Sequence, residues 1–156
     1  MVTATFEHMR LSFSTLTPEL RAIRKLFEFA SVELQIVPSD KEHPELEVDD
    51  CVIVGWKSVL VYAGRVSHAL PSDPLASAVV MQWINIDSPD DDAPQADIER
   101  LLRLVEAEFE KHDGDFLCDH TLTRSSAADF LWKERLMHLK ATWNVDWSKY
   151  PRIVNF

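Results

Sequence analysis

The hydrophobic pattern of the chain changes near residue 71, and this change constrains the fold more than any other feature. Before it, stretches in which every second residue is apolar alternate with stretches of helical periodicity. After it, apolar residues recur at helical spacing. The sequence therefore predicts a small mixed α/β half over 1–70, followed by an all-helical half over 71–156.

The first half predicts the order strand, helix, strand, loop, strand, strand, helix. Thr17 followed by Pro18 is typical of a helix start, because threonine caps the backbone and proline fits the first turn. Asp49-Asp50 indicates a tight turn between two short strands. We predict strands within 3–13 and over 32–37, 45–48 and 51–54, a loop over 38–43, and a second helix from Trp56.

The second half predicts a series of helices. Asp73-Pro74 repeats the cap-plus-proline start, and three adjacent aspartates over 90–92 indicate a solvated loop. Ser126-Ala-Ala-Asp129 is a capping arrangement, so we assign Ser126 and Asp129 as structural caps. Pro151 begins a last helix close to the end of the sequence, so we expect a chain that is clipped or that continues.

The charge balance limits the partners of the chain. It carries 26 acidic and 16 basic residues, a formal charge of −10, which disfavours direct contact with nucleic acid or anionic lipid. Cys51 and Cys118 show no paired spacing, and no secretory or membrane-spanning pattern is visible. The histidines lack ligand spacing. We therefore expect a cytoplasmic protein without a metal or cofactor.

Several motifs together resemble the glutathione-transferase family. Ser126-Ala-Ala-Asp129 resembles its capping motif, Phe116-Leu117 the approach to that motif, and Tyr150-Pro151 a later helix start. The stretch over 21–34 resembles its first helix and second strand. The resemblance implies an α/β plus all-α fold, in which a reduced thioredoxin-like N-terminal half precedes a helical half like the C-terminal half of a glutathione transferase (GST).

The departures from this family concern the glutathione site. An acidic residue and a serine usually hold the γ-glutamyl end, and here those positions are Gly55 and Trp56. Pro44 corresponds to a proline that is normally cis. The family's thiol-activating residue has no clear equivalent among the hydroxyls near the first helix, Ser12, Ser14, Thr15 and Thr17. On the resemblance, we expect the site to be lost and the chain not to be an enzyme.

Gly55-Trp56 and Gln82-Trp83 also resemble a non-catalytic branch of the family that serves translation. Its members include the elongation factor 1 gamma subunit, auxiliary proteins of multi-synthetase complexes and an apicomplexan tRNA-import protein. The resemblance implies a scaffold that assembles aminoacyl-tRNA synthetases as a homo- or heterodimer, and that forms the N-terminal domain of a longer tRNA-binding protein. Partner contacts would fall on Trp56, Arg152 and Asn155.

Two other interpretations stay open. The first is an atypical glutathione transferase that conjugates glutathione to small electrophiles. The second is an adaptor for membrane import, which needs an anchor that the sequence does not show. Trp56 suits either partner contact or packing between the two halves, and packing is favoured because large aromatic side chains usually lie in the core. The sequence does not identify the synthetases that would bind, the homo- or heteromeric nature of the pairing, or any segment C-terminal to residue 156.

Overall fold

A computed structural model describes residues 8–111, 117–118 and 125–156, and the chain divides into two compact units, Met1–Leu70 and Pro71–Phe156. The first unit contains β1 (Met9–Phe13), α1 (Pro18–Phe29), β2 (Gln35–Pro38), β3 (Glu45–Val48), β4 (Cys51–Val54) and α2 (Trp56–Val66). The second contains α3 (Pro74–Asn85), α4 (Gln95–Lys111), α5 (Ala127–Thr142), a 3₁₀ turn (Trp147–Lys149) and α6 (Pro151–Asn155).

The first unit is built on a four-stranded mixed sheet with the order β2-β1-β3-β4. β1 runs parallel to β2 and antiparallel to β3, and a two-residue turn joins β3 to β4. Leu11 and Leu46 are paired across β1 and β3 and are fully buried. This β-α-β unit followed by a β-hairpin and a helix is the predicted thioredoxin-like half. It is reduced because residues 39–44 form no helix.

Helices α1 and α2 pack against each other, and α2 also contacts β3 and β4. The hydroxyl of Thr17 accepts a hydrogen bond from the N–H of Leu20 (3.3 Å), so α1 begins where the cap-plus-proline pattern predicts. The buried side chains of the two helices, which include Leu26, Phe27 and Leu60, form the core of the unit.

The described residues of the second unit form helices joined by loops and turns, with no strand among them. α3 packs on α5, and α4 packs on α6. The indole N–H of Trp132 donates to the carbonyl of Trp83 (3.0 Å), and Arg135 donates to the carbonyl of Ile86 (2.8 Å). These two bonds attach the end of α3 to α5. The predicted fold class, α/β plus all-α, is confirmed.

Two predicted boundaries differ from the structure. The strand predicted within 3–13 is observed as Met9–Phe13, and residues 3–7 lie outside the described part of the chain, as does Phe116. The strand predicted over 32–37 is Gln35–Pro38, since Ser31 turns the chain with φ 56° after α1. Pairing with β1 therefore begins only at Gln35, opposite Arg10. No described helix has the length and apolar character to cross a membrane.

Candidate functional site

Several segments meet at one end of the sheet in the first unit. Ser12 is paired with Glu45, and Glu45 is paired with Val54 on the other side. The end of β1, the start of β3 and the end of β4 therefore lie side by side. We call this region, made of residues 12–17, 44–45 and 54–57, the helix-start end of the sheet, because both α1 and α2 begin there.

The start of α2 differs from the starts of α1, α3 and α5, each of which has a side-chain cap. Its N-cap is Gly55, which has no side chain to accept from the first turn, and that turn contains no acidic residue. Gly55 has a φ of 90°, a left-handed conformation that glycine adopts without strain. Its N–H donates to the carbonyl of Pro44 (2.9 Å). The positive end of the α2 dipole is thus not neutralised by a capping side chain and favours an anion.

Trp56 and Lys57 occupy the first positions of α2. Both are half-buried, and the Lys57 ammonium lies 5.4 Å from the centroid of the Trp56 ring. A cation over an indole face is a favourable arrangement. The pair adds a positive charge at the start of α2, but the Trp56 indole supplies neither a hydroxyl nor a carboxylate there.

The loop between β1 and α1 contributes hydroxyl groups to the same end. Ser14 and Thr15 are exposed, whereas Thr17 caps α1. Ser12 donates to the carbonyl of Glu45 (3.4 Å). Of the four hydroxyls, Ser14 and Thr15 are therefore the ones placed to meet a ligand. The described residues contain no cis peptide bond, so the bond before Pro44 is trans.

In the second unit, Ser126 and Asp129 cap α5 reciprocally. The Asp129 N–H donates to the Ser126 hydroxyl oxygen (3.3 Å), and the Ser126 N–H donates to the Asp129 carboxylate (2.7 Å). The other carboxylate oxygen accepts from the N–H of Leu117 (2.6 Å). Asp129 thus fixes the approach to α5 as well as its start.

The other predicted partner residues, Arg152 and Asn155, lie on α6 and are exposed. The Asn155 amide donates to the carbonyl of Pro151 within the same helix (2.9 Å). The backbone N–H groups of Arg152 and Ile153 donate to the carboxylate of Glu106 (2.8 and 3.0 Å). Arg152 and Asn155 therefore share one short helix in the second unit, whereas Trp56 belongs to the first unit.

Two surfaces were missed by sequence reasoning. α3 contains no charged residue, and its Leu75 and Val79 side chains are 75% and 37% exposed. The strand β4 is also uncharged, and it exposes Val52 and Val54. The signal available in the sequence was the absence of charge over 74–85 and over 51–54, where solvent-facing positions normally carry polar residues.

The described residues contain no group of three or more histidine, cysteine, aspartate or glutamate side chains that could hold a metal ion. Burial raises the pKa of the Cys118 thiol to about 12, and the Asp129 carboxylate adds to this effect. Cys118 is therefore a protonated, unreactive thiol at neutral pH.

Comparison with solved structures identifies the fold. A diazinon-metabolizing glutathione S-transferase from the silkworm Bombyx mori matches with a TM-score of 0.78 and 16% identity, over 94% of this chain and 87% of that one. The enzyme from Ascaris lumbricoides matches with 0.78 and 15%, over 95% and 88%. A Drosophila mojavensis homolog with bound glutathione gives 0.76 and 18%, over 94% and 84%. No family model and no curated protein matches the sequence.

These likenesses establish the glutathione S-transferase fold and correct one prediction. The prediction that the chain is not an enzyme is wrong on this finding, because the similar structures are glutathione S-transferases and one holds glutathione. It relied on Gly55 and Trp56, on the uncertain role of Pro44, and on the lack of a clear thiol-activating residue near α1. The start of α2, however, presents backbone N–H groups and a helix dipole that do not depend on those side chains. The translation-associated branch stays a prediction.

Proposed function

We propose that the chain is an atypical glutathione transferase that conjugates glutathione to small electrophiles at the helix-start end of its sheet. The observation that carries this proposal is the convergence of two helix starts and two exposed hydroxyls at that end, within a glutathione S-transferase fold. The tripeptide is an extended anion with a free thiol. Its chemistry calls for anion binding, a backbone partner and a group that stabilises a thiolate.

The start of α2 is the carboxylate-binding part of the proposed site. The dipole of α2, without an acidic residue in its first turn, attracts the γ-glutamyl carboxylate, and Lys57 adds a cation beside it. Neither Gly55 nor Trp56 supplies a side-chain oxygen for the γ-glutamyl end. We therefore expect glutathione to bind more weakly than in enzymes that have the usual acid and serine.

Ser14 and Thr15 are the thiol-activating candidates. A hydroxyl that donates to the sulfur stabilises the thiolate, and the start of α1 adds its positive dipole end. The thiol proton passes to solvent, the thiolate forms a carbon–sulfur bond with the electrophile, and the leaving group departs with its electron pair. Loss of a hydrogen bond to a charged sulfur raises the activation free energy by about 2 kcal/mol, which lowers the rate about 30-fold.

A conjugation assay tests this function. The chain is incubated with glutathione and 1-chloro-2,4-dinitrobenzene, and formation of the thioether is followed by absorbance. We expect turnover above the uncatalysed rate, with kcat reduced about 30-fold in Ser14→Ala or in Thr15→Ala, whichever residue donates. Ser72→Ala, in the exposed segment before α3, is the control. No turnover and no retention on immobilised glutathione would overturn the proposal.

A second candidate role is favoured by the uncharged face of α3. Exposed Leu75 and Val79 on a helix without charges suit a protein partner better than water. The sequence resemblance suggests another translation protein in the cytoplasm, such as an aminoacyl-tRNA synthetase, with further contacts from Trp56, Arg152 and Asn155. Capture of a synthetase by the wild-type chain, but not by Leu75→Lys, supports this role. Equal capture by both, or capture of no synthetase, contradicts it.

A further inference from the structure

Among the described residues, β4 is an edge strand of the sheet, and it is short but has neither a charge nor a proline to protect that edge. Its residues Cys51–Val54 include no charge and no proline, and Val52 and Val54 are 56% and 52% exposed. Natural proteins usually guard edge strands with lysine, proline or a bulge, because an unguarded edge pairs with another strand. The opposite edge strand, β2, ends in Pro38, which has no N–H to donate.

The hydrogen-bond pattern shows which groups of β4 face outward. Antiparallel strands alternate between pairs that exchange backbone hydrogen bonds and pairs that do not. Gly55 donates to Pro44, so residues 53 and 51 also bond toward β3 in the observed register. Asp49 donates to His8 on the other side of β3, which agrees with this alternation. The N–H and C=O groups of Val52 and Val54 therefore point away from β3, toward the open edge.

We infer that β4 pairs with β4 of a second copy of this chain, antiparallel and about a twofold axis at Ile53, to form one continuous sheet. In this register Val52 of one copy lies opposite Val54 of the other, and the two residues exchange both backbone hydrogen bonds. The twofold axis generates the same pair of hydrogen bonds between Val54 of the first copy and Val52 of the second. A single register satisfies all the outward groups of both strands, since the outward residues are spaced evenly on either side of Ile53.

The charges at the two ends of β4 make a second copy of this chain a better partner than an unrelated strand. β4 is preceded by Asp49 and Asp50 and followed, after Gly55 and Trp56, by Lys57. Antiparallel pairing about Ile53 brings Asp49 and Asp50 of one copy beside Lys57 and the start of α2 of the other. Carboxylates near a helix start and near an ammonium are favourable. The strand is thus complementary to itself in charge as well as in hydrogen bonding.

The β4–β4 interface is small, because each copy contributes only one short strand and its flanking residues. We expect reversible self-association with a dissociation constant above about 10 µM, not a permanent dimer. The formal charge of −10 makes two copies repel each other at long range. At about 0.15 M salt the screening length is about 8 Å, so this repulsion is reduced while adjacent charges still interact.

Disulfide trapping in the full chain tests the register. Ile53→Cys, made in a Cys51→Ser background, places two thiols opposite each other in a pair with Cα atoms about 4.5 Å apart, within the range that a disulfide spans. Val54→Cys in the same background is the matched control, because its thiols would lie on Cα atoms about 9 Å apart, too far to bridge. Position 54 is more exposed than position 53, so disulfides formed by random collision would favour the Val54→Cys variant.

Under mild oxidation we expect a cross-linked dimer from Ile53→Cys and much less from Val54→Cys, on gels without reductant. Equal or greater cross-linking of Val54→Cys, or none of either, overturns the inference. Sedimentation velocity gives a second measurement. Asp50→Lys and Lys57→Asp should each weaken self-association at least fivefold, and the double variant should restore it. A chain that remains monomeric at all concentrations but binds an extended valine-rich peptide would assign the edge to a foreign strand, and would also overturn the inference.

Discussion

At the residue scale, Trp56 decides how well the proposed site can hold glutathione. It stands at the first position of α2, next to an ammonium and beside the helix dipole, but its indole offers no oxygen to the ligand. Replacing it by serine adds a hydroxyl at the start of α2, where the proposed function places the γ-glutamyl carboxylate. One neutral hydrogen bond is worth about 1 kcal/mol, or about fivefold in affinity.

The Trp56→Ser variant is therefore expected to bind glutathione more tightly than the wild type. Trp56→Ser should lower the dissociation constant for glutathione about fivefold, measured by isothermal titration calorimetry, and should lower KM in the conjugation assay. The control is Leu104→Ser, an exposed position on α4, which should change neither value. If Trp56→Ser binds glutathione less tightly than the wild type, the indole itself holds the ligand and the assignment of α2 is wrong.

Cys118 gives a pH dependence at the same scale. Its pKa is raised from 9.0 to about 12 by burial and by Asp129. The thiol therefore stays protonated in the folded chain at pH values where the unfolded chain has already lost the proton. This stabilising contribution is complete below about pH 9 and is lost as pH rises toward 12, with a slope of at most about 1.4 kcal/mol per pH unit.

Urea unfolding between pH 8 and 10.5 measures this effect. The free energy of unfolding of the wild type should fall more steeply above pH 9 than that of Cys118→Ala, because the variant lacks the group that titrates. The difference between the two curves isolates Cys118 from the lysines and tyrosines that titrate in the same range. Parallel curves would show that the thiol has the same pKa in both states.

At the element scale, α6 depends on a residue far away in the sequence. This helix has five residues and no side-chain cap of its own, so it is too short to be stable alone. The buried carboxylate of Glu106, on α4, accepts from two of its first N–H groups. The Lys140 ammonium on α5 donates to the carbonyl of Ile153 (3.2 Å). Neighbouring helices thus hold α6 and present Arg152 and Asn155.

Removing this carboxylate should detach α6. Glu106→Ala is expected to lower the free energy of unfolding by about 2–3 kcal/mol, since it leaves N–H groups without their charged acceptor. Hydrogen exchange at Arg152 and Ile153 should accelerate more than exchange in α5. Glu110→Ala, an exposed position on the same helix, should change stability by less than about 0.5 kcal/mol. Unchanged exchange at α6 would contradict this role of Glu106.

The elements differ in how far the sequence could predict them. The starts of α1 and α3 were predictable because Thr17 and Asp73 cap their own helices through local bonds. The bounds of β3 and β4 followed from alternation and a two-residue turn. The start of β2 did not, since pairing with β1 sets it. The role of Glu106 was also beyond the sequence, because a buried carboxylate on an amphipathic helix gives no sign that it accepts from residues 46 and 47 positions away.

At the scale of the whole molecule, the site was harder to predict than the fold. Periodicity and caps report packing, and they gave the correct fold class for both units. The expectation about function rested on Gly55 and Trp56, on Pro44 and on the lack of a clear thiol-activating residue, and these departures from the family pattern predicted the loss of the site. The groups at the helix-start end that attract an anion include backbone donors of α2, which leave no trace in residue identity.

The formal charge of −10 predicts that the chain does not bind nucleic acid. Binding to tRNA requires lysine and arginine side chains that displace counterions from phosphates, and a strongly negative net charge opposes this binding. The chain should cause no shift of tRNA mobility in gels at concentrations up to about 10 µM, at 0.15 M salt and also at low salt, where any phosphate contact would be strongest. A variant with asparagine at positions 90–92 remains acidic and should behave alike. Binding that weakens as salt rises would reveal a basic patch that the net charge conceals, and would bring nucleic acid back among the partners of this chain.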